Sequence, residues 1–293
     1  MFTNQNNQSD LSAIAKERLL YLQEMPAPTG LAAEIFAITS DDQVELDSVV
    51  EIIEKSPEIT MRILRYANSV YYGHRRHIET PKEAIIRVLG LSLTKSLMLA
   101  MAVGKTFQKT CPGFDQKRHW FRSSACASIA QSLAPHLSGV HSPSAGIAYT
   151  AGLLHNFGIL ALVNTFPDQL KKIFADKTEG SLRTKTRELL GIDHLIVGGW
   201  LARRWGLPDN LVRAISFHDD PFYHGPHQEL VLLTGLSCRL AGHLYSPEKT
   251  LELPDSLPSK LPLQRQDVEK QLSALSSKRE ELAAMAELLA GGK

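Results

Sequence analysis

The 293-residue sequence has few of the features that mark secreted or membrane-spanning proteins. Its three cysteines, Cys111, Cys126 and Cys238, show no CxxC spacing, which fits a reducing compartment better than a disulfide framework. The polar N-terminus, MFTNQNNQSD, lacks the basic start and apolar stretch of a signal peptide. The longest strongly apolar run, Leu97–Val103, is far shorter than the roughly 20 residues of a membrane span. We therefore expect a cytoplasmic protein without a membrane partner.

Positively and negatively charged residues are nearly equal in number. There are 32 Lys and Arg residues against 31 Asp and Glu residues, which leaves a net charge of +1. Nucleic acid is therefore not an expected partner, because no bulk positive field would attract it. One local basic cluster consists of Arg62, Arg65, Arg75 and Arg76. A solvated loop would account for this cluster; the alternative is a surface for an anion or a partner, since guanidinium groups match phosphate and carboxylate.

The sequence also lacks the sustained alternation of apolar and polar residues that marks a half-buried strand. Apolar residues instead recur every three or four positions from Leu11 onward, and the hydrophobic content of 43% suffices for a core. The sequence therefore predicts an all-α protein. Its clearest predicted helix starts are Ser56-Pro57, the capping box Thr80-Pro81-Lys82-Glu83 and the N-cap Asp193. The predicted helices cover about 11–22, 31–39, 46–55, 57–69, 91–107, 120–137, 143–156, 167–177, 193–205 and 230–244, with further starts at 80 and 208.

Composition divides the chain into four segments. We expect a polar N-terminal tail and helix start over 1–18, a helical domain over 19–245, a proline-rich linker over 246–263, and amphipathic helices over 264–293. The linker is predicted because four prolines fall within sixteen residues, between Pro247 and Pro262. The terminal helices are expected to pack against their own domain, with a homodimer seam as the alternative.

Four separated sequence phrases occur in an order that resembles the HDOD family, the HD-related output domains of bacterial signalling proteins. The phrases are EIIEKSPEITMRILRYANSVYYG, AIIRVLG, AGLLHNFGILAL and LGIDHLIVGGWLARRWGLPDNLVRAISFHDDP. The resemblance covers about Leu19–Leu244 and implies an HD-domain-like multi-helix bundle with a regulatory role. Receiver, sensor and nucleotide-cyclase motifs are not evident, so we expect the signal to pass through other signalling proteins.

The resemblance also implies where a metal site would be. An HD enzyme binds its metal with a first histidine, an adjacent His-Asp pair and a final aspartate. The corresponding positions here are Arg122, His155 with Asn156, and Cys238. Two carboxylates are thus replaced, and a guanidinium at roughly 4 Å would repel a divalent ion by several kcal/mol. We expect a degenerate site, no cofactor and a non-catalytic module.

Two alternatives stay open for this site. His119, His194 and His218 are candidate pocket residues that, with Cys238 as a thiolate ligand for zinc, could form a rebuilt metal site. That reading implies a metal-dependent phosphohydrolase with substituted ligands, in which His155 binds a divalent ion. In the other alternative, polar residues such as Arg122 bind a small anion or a nucleotide, because a guanidinium suits phosphate.

Overall fold

The computed structural model describes residues 23, 25, 27–40, 43–69, 77–137, 142–176, 181–245 and 261–291. All regular structure within these residues is helical, which confirms the predicted all-α fold. The helices are α1 (Leu31–Ser40), α2 (Leu46–Glu54), α3 (Pro57–Ala67), α4 (Pro81–Ala84), a π-turn (Ile85–Leu89), α5 (Gly90–Thr106), α6 (Gln116–Leu133), a 3-10 turn (Ala134–His136), α7 (Ala145–Leu154), α8 (Phe157–Thr165), α9 (Pro167–Ala175), α10 (Leu182–Leu190), α11 (His194–Arg204), α12 (Asp209–Phe217), α13 (Gln228–Tyr245), α14 (Arg265–Ser276) and α15 (Arg279–Leu289).

The predicted helix caps are present. The Ser56 hydroxyl accepts a hydrogen bond from Ile59 N at 3.3 Å, and the Thr80 hydroxyl accepts one from Glu83 N at 3.2 Å. These side chains satisfy backbone N–H groups that have no partner inside the helix. The helix predicted over 11–22 and nearly all of the linker predicted over 246–263 lie outside the described residues.

Two helices were not predicted from the periodicity. Helix α8, with the sequence FGILALVNT, is buried on almost every side and therefore has no polar face to reveal a helical period. Helix α10, LRTKTRELL, is mostly polar, and of its residues only Thr186 and Leu190 are buried. A helix that is apolar all round gives no amphipathic signal. Helix α10 does have one apolar side, but only three of its nine residues are apolar, which makes that side hard to identify.

Two helical stretches, Pro81–Thr106 and Ala145–Thr165, are long and apolar enough to cross a membrane by length and composition alone. Within the fold, the most apolar window of the first stretch is 56% buried and that of the second is 78% buried. Helix α7, in the second stretch, packs against α5, α6 and α13. More than half of each apolar window is therefore buried by packing within the fold.

The C-terminal helices pack against the helices that precede the linker. Helix α15 lies on α6, and its buried residues are Leu282, Met285, Ala286, Leu288 and Leu289. Arg62 Nη1 on α3 donates to the Leu288 carbonyl at 2.9 Å, and the Tyr149 hydroxyl lies 3.5 Å from Met285 Sδ. The apolar face of α15 is therefore covered by its own chain.

Helices α8 and α11 approach each other closely at a glycine. A Cβ added to Gly158 would collide with the carbonyl oxygen of His194 and would lie 2.8 Å from Gly198 N. Both obstacles are backbone atoms, which cannot rotate away as a side chain can. The absence of a side chain at Gly158 therefore sets how near the start of α11 lies to the junction of α7 and α8.

We expect Gly158→Ala to destabilise the protein by about 1–3 kcal/mol, because the added methyl group overpacks a backbone contact. Urea unfolding followed by circular dichroism measures this change. The matched control is Gly104→Ala in α5, whose added Cβ would make an ordinary contact of 3.4 Å with the Trp120 ring. This control should gain up to about 1 kcal/mol of helix propensity. Equal effects of the two substitutions would contradict the proposed close packing.

Candidate functional site

His155 and Asn156 lie at the junction between α7 and α8. His155 is 1% exposed, and its Nδ1 lies 2.7 Å from the carbonyl oxygen of Gly152. Because a carbonyl oxygen only accepts hydrogen bonds, Nδ1 carries the proton and donates it. The Nε2 atom of the neutral ring therefore presents a lone pair to its surroundings.

Two side chains face this lone pair. Asn156 Nδ2 lies 2.7 Å from His155 Nε2, and Cys238 Sγ on α13 lies 3.2 Å from the same atom. Both an amide N–H and a thiol S–H can donate to Nε2, so two donors share one acceptor. The Asn156 Oδ1 atom is buried and has no hydrogen-bond partner. A buried acceptor without a partner is costly, and it marks a place where a ligand atom would be stabilised.

His218 ends α12 beside this pair. Its Nδ1 lies 3.1 Å from the Ala214 carbonyl and 3.3 Å from the Ile215 carbonyl, so Nδ1 is again the protonated nitrogen. The rings of His155 and His218 meet edge to face, with their centroids 4.9 Å apart.

A glycine on α13 allows this approach. A Cβ on Gly235 would collide with the His218 carbonyl oxygen and lie 3.2 Å from its carbonyl carbon. Cys238 follows Gly235 by three residues and therefore lies on the same face of α13. The close contact at Gly235 thus brings the end of α12 next to Cys238.

His155, His218 and Cys238 form a group of potential metal ligands whose ligand atoms all lie within 4.8 Å of one another. Within the described ranges this group contains no carboxylate. The HD fold implies a hydrolytic divalent ion, and hard ions such as Mg²⁺ and Mn²⁺ prefer oxygen ligands. The residues present therefore do not fit a hard hydrolytic ion.

The histidines of this region are held neutral. Burial, followed by the charge of Arg122, lowers the pKa of His119 to about 3. Burial is also the main cause that lowers the pKa of His194 to about 4 and that of His218 to about 4. For His155, burial and the neighbouring His218 hold the pKa well below its usual range. Four uncharged imidazoles thus line one region of the fold.

Arg122 on α6 adds a positive charge to this neutral region. Burial raises the pKa of the Cys238 thiol, while the Arg122 guanidinium opposes that rise by its charge and by a hydrogen bond. The Arg122 Nε atom is buried without a partner, and no carboxylate of the described residues forms an ion pair with Arg122. The site therefore carries a partly buried cation that has no matching anion among the described residues.

A second charged group fixes the start of α11 and was only partly predicted. Asp193 is fully buried and accepts hydrogen bonds from Leu195 N at 2.9 Å and Ile196 N at 3.0 Å, which confirms its predicted role as N-cap. It also pairs with Arg183 Nε at 3.2 Å and Arg187 Nε at 2.6 Å. Burial alone would raise the Asp193 pKa, but the bond from Ile196 N and both arginines hold it below its usual value. Both arginines lie on α10, the mostly polar helix that was not predicted.

The predicted basic cluster is only partly described. Arg75 and Arg76 lie outside the described residues. The Arg62 guanidinium is engaged within the chain, by Glu58 at 2.8 Å and by the Leu288 carbonyl. Arg65 lines a cavity of about 600 Å³ between α3 and the C-terminal helices. The cluster thus contributes to packing of α15 through Arg62.

The neutral histidines should make the metal-free protein sensitive to acid. A histidine whose folded pKa is lowered stabilises the fold fully above its unfolded pKa of about 6.5, and this stability is lost as pH falls towards the folded pKa. For His119 the loss extends from about pH 6.5 down to about pH 3, and for His194 from about pH 6.5 down to about pH 4. Each should contribute up to about 1.4 kcal/mol per pH unit there.

Urea unfolding in chelator at several pH values measures this slope. We expect His119→Gln to reduce the slope, because glutamine takes up no proton on unfolding. His224→Gln is the control, since His224 is exposed and lies outside the histidine region. An unchanged slope in His119→Gln would contradict the burial of a neutral imidazole at this position.

Comparison with known proteins agrees with this architecture. A family model of the HDOD domain matches residues 25–221. An uncharacterized protein of Treponema pallidum (strain Nichols) is 25% identical over 232 residues, and the match covers 78% of this chain and 44% of that protein. The crystal structure of a candidate signal transduction protein from Marinobacter aquaeolei VT8 is similar with a TM-score of 0.80 at 25% identity, over 96% of this chain and 66% of that chain.

The crystal structure of an HDOD domain protein of unknown function from Geobacter sulfurreducens shares the fold, with a TM-score of 0.74 at 21% identity, over 96% of this chain and 98% of that one. The chain spans less than half the length of the Treponema relative and about two thirds of the Marinobacter protein. The family model covers more than half of this sequence. The chain therefore belongs to the HDOD family.

Proposed function

We propose that this chain is a non-catalytic regulatory module of bacterial signal transduction, with an HD-type site that no longer performs metal-dependent hydrolysis. Membership of the HDOD family and similarity to the Marinobacter protein support a signalling role. The proposal that the module is non-catalytic rests on which residues make up the site. By the resemblance to the HD pattern, Asn156 and Cys238 correspond to its carboxylates, and Arg122 corresponds to its first histidine.

The chemistry of hydrolysis needs features that this site lacks within the described residues. A hydrolytic ion must hold a water molecule at a vacant position and lower the pKa of that water. Carboxylate ligands help to hold such an ion, but the donor group here is two imidazoles and a thiol. The uncompensated charge of Arg122 adds repulsion for any divalent ion. We propose that a module without hydrolytic activity acts by binding other proteins. The proposed partners are other signalling proteins of the cytoplasm.

The purified protein should hydrolyse no member of a phosphomonoester and phosphodiester panel above background, with Mg²⁺, Mn²⁺ or Fe²⁺ present. His155→Ala should leave this background unchanged, because His155 activates no water in this proposal. Chromogenic esters and nucleotide substrates followed by product chromatography measure turnover. Turnover that depends on added metal and disappears in His155→Ala would establish the alternative, an HD-type phosphohydrolase with substituted ligands.

We further propose that this site receives a small anion or a nucleotide phosphate. Enclosed charges in proteins are normally paired, because removing a charge from water without a partner is costly. Arg122 has no such partner among the described residues, and its buried Nε still has a hydrogen to donate. A phosphate oxygen would supply both the missing negative charge and the missing acceptor.

Titration calorimetry with inorganic phosphate and with a nucleoside triphosphate tests this ligand class. We expect binding that weakens at least about tenfold in Arg122→Met, which keeps an apolar stem but removes the charged group. Arg62→Met is the matched control, because the Arg62 guanidinium already pairs with Glu58. An absence of binding at millimolar concentration, or an equal loss in both variants, would contradict an anion on Arg122.

A further inference from the structure

We propose that His155, His218 and Cys238 bind one zinc ion, with the Asn156 side-chain oxygen as the fourth ligand. The sequence alone favours a site without metal. The arrangement of the three side chains in the structure changes that expectation for zinc. Imidazole nitrogen and thiolate sulfur are the donors that zinc prefers, whereas Mg²⁺ and Mn²⁺ prefer oxygen. The substitutions that remove a hard-metal site therefore leave a donor set for a softer metal.

The ligand atoms are close to the spacing that zinc requires. Zn–N bonds of about 2.0–2.1 Å and Zn–S bonds of about 2.3 Å in a tetrahedral site separate the ligand atoms by roughly 3.4–3.6 Å. His155 Nε2 and Cys238 Sγ are already 3.2 Å apart, and all three ligand atoms lie within 4.8 Å of one another. The widest separation must therefore decrease by roughly 1 Å, which rotation of side chains can supply.

Both histidines have the supporting hydrogen bonds of metal ligands. A histidine that binds a metal through one ring nitrogen almost always donates a hydrogen bond from the other, often to a backbone carbonyl. His155 Nδ1 donates to Gly152, and His218 Nδ1 faces the carbonyls of Ala214 and Ile215. His194 lacks this support, because its Nδ1 has no partner. The backbone thus distinguishes the two proposed ligands from the nearby histidine.

Asn156 completes the coordination. When zinc takes the lone pair of His155 Nε2, the amide N–H of Asn156 can no longer donate to it. Rotation of the amide by half a turn brings Oδ1, now buried without a partner, to the position of Nδ2, next to the ion. Four protein ligands leave no vacant position for a water molecule, so this zinc site is structural. It is compatible with a module that does not hydrolyse phosphoesters.

Arg122 separates the zinc site from the anion site proposed above. Zinc binding releases the thiol proton of Cys238, so the site gains one positive charge in total. The guanidinium opposes that gain, whereas it attracts an anion. Arg122→Met should therefore strengthen zinc binding while it weakens phosphate binding. The two proposals consequently fail or succeed independently of each other.

The test uses the full chain, freed of metal with a chelator, and Co²⁺ as a spectroscopic probe for zinc. We expect one Co²⁺ per chain, with the intense visible bands of tetrahedral coordination and a thiolate-to-cobalt charge-transfer band. Added Zn²⁺ should remove these bands by displacement. Cys238→Ser should abolish the charge-transfer band, and His218→Gln should weaken binding at least about tenfold. Cys111→Ser is the matched control, since it removes a buried thiol outside the proposed site.

Circular dichroism of each metal-free variant shows whether that variant folds. If Cys238→Ser does not fold, the loss of cobalt affinity in His218→Gln serves as the test. The proposal is overturned if the wild-type chain shows no charge-transfer band, if that band persists in folded Cys238→Ser, or if Cys111→Ser loses it equally. None of these outcomes bears on the regulatory function, which the phosphoester panel tests separately.

Discussion

The hydrogen bond from His155 Nδ1 to the Gly152 carbonyl determines the chemistry of the whole site. It fixes the proton on Nδ1 and turns the Nε2 lone pair towards Asn156 and Cys238. Because the acceptor is a backbone atom of the same helix, the orientation is built into α7 itself. The site is therefore organised around a neutral donor rather than around a charged pair.

Close helix packing extends this constraint to the neighbouring residues. Gly158 lets α11 approach the α7–α8 junction, and Gly235 lets the end of α12 lie against α13. The same packing buries the histidines and keeps them uncharged, and Arg122 lies beside them as a partly buried cation. A hydrolytic ion is disfavoured by this combination, while soft donors and an anion acceptor remain. This combination is the reason for our proposal that the fold of this chain serves binding rather than hydrolysis.

Sequence reasoning was sufficient for most of the amphipathic helices within the described residues. The resemblance to the HD pattern grouped Arg122, His155, Asn156 and Cys238, and in the structure Cys238 Sγ lies 3.2 Å from His155 Nε2. Helix α8 was missed because it is buried on nearly every side, and α10 because it is short and mostly polar. The pairing of Asp193 with α10 could not be predicted without that helix.

The tautomers of His155 and His218 could not be predicted from the sequence either, because they depend on which backbone carbonyl each ring faces. Long-range ¹H–¹⁵N spectra of the imidazole groups in the metal-free protein test this point most directly. The account predicts that both rings are neutral and protonated at Nδ1 at neutral pH. A ring protonated at Nε2, or an imidazolium, at either residue would contradict the free Nε2 lone pairs on which the proposed site depends.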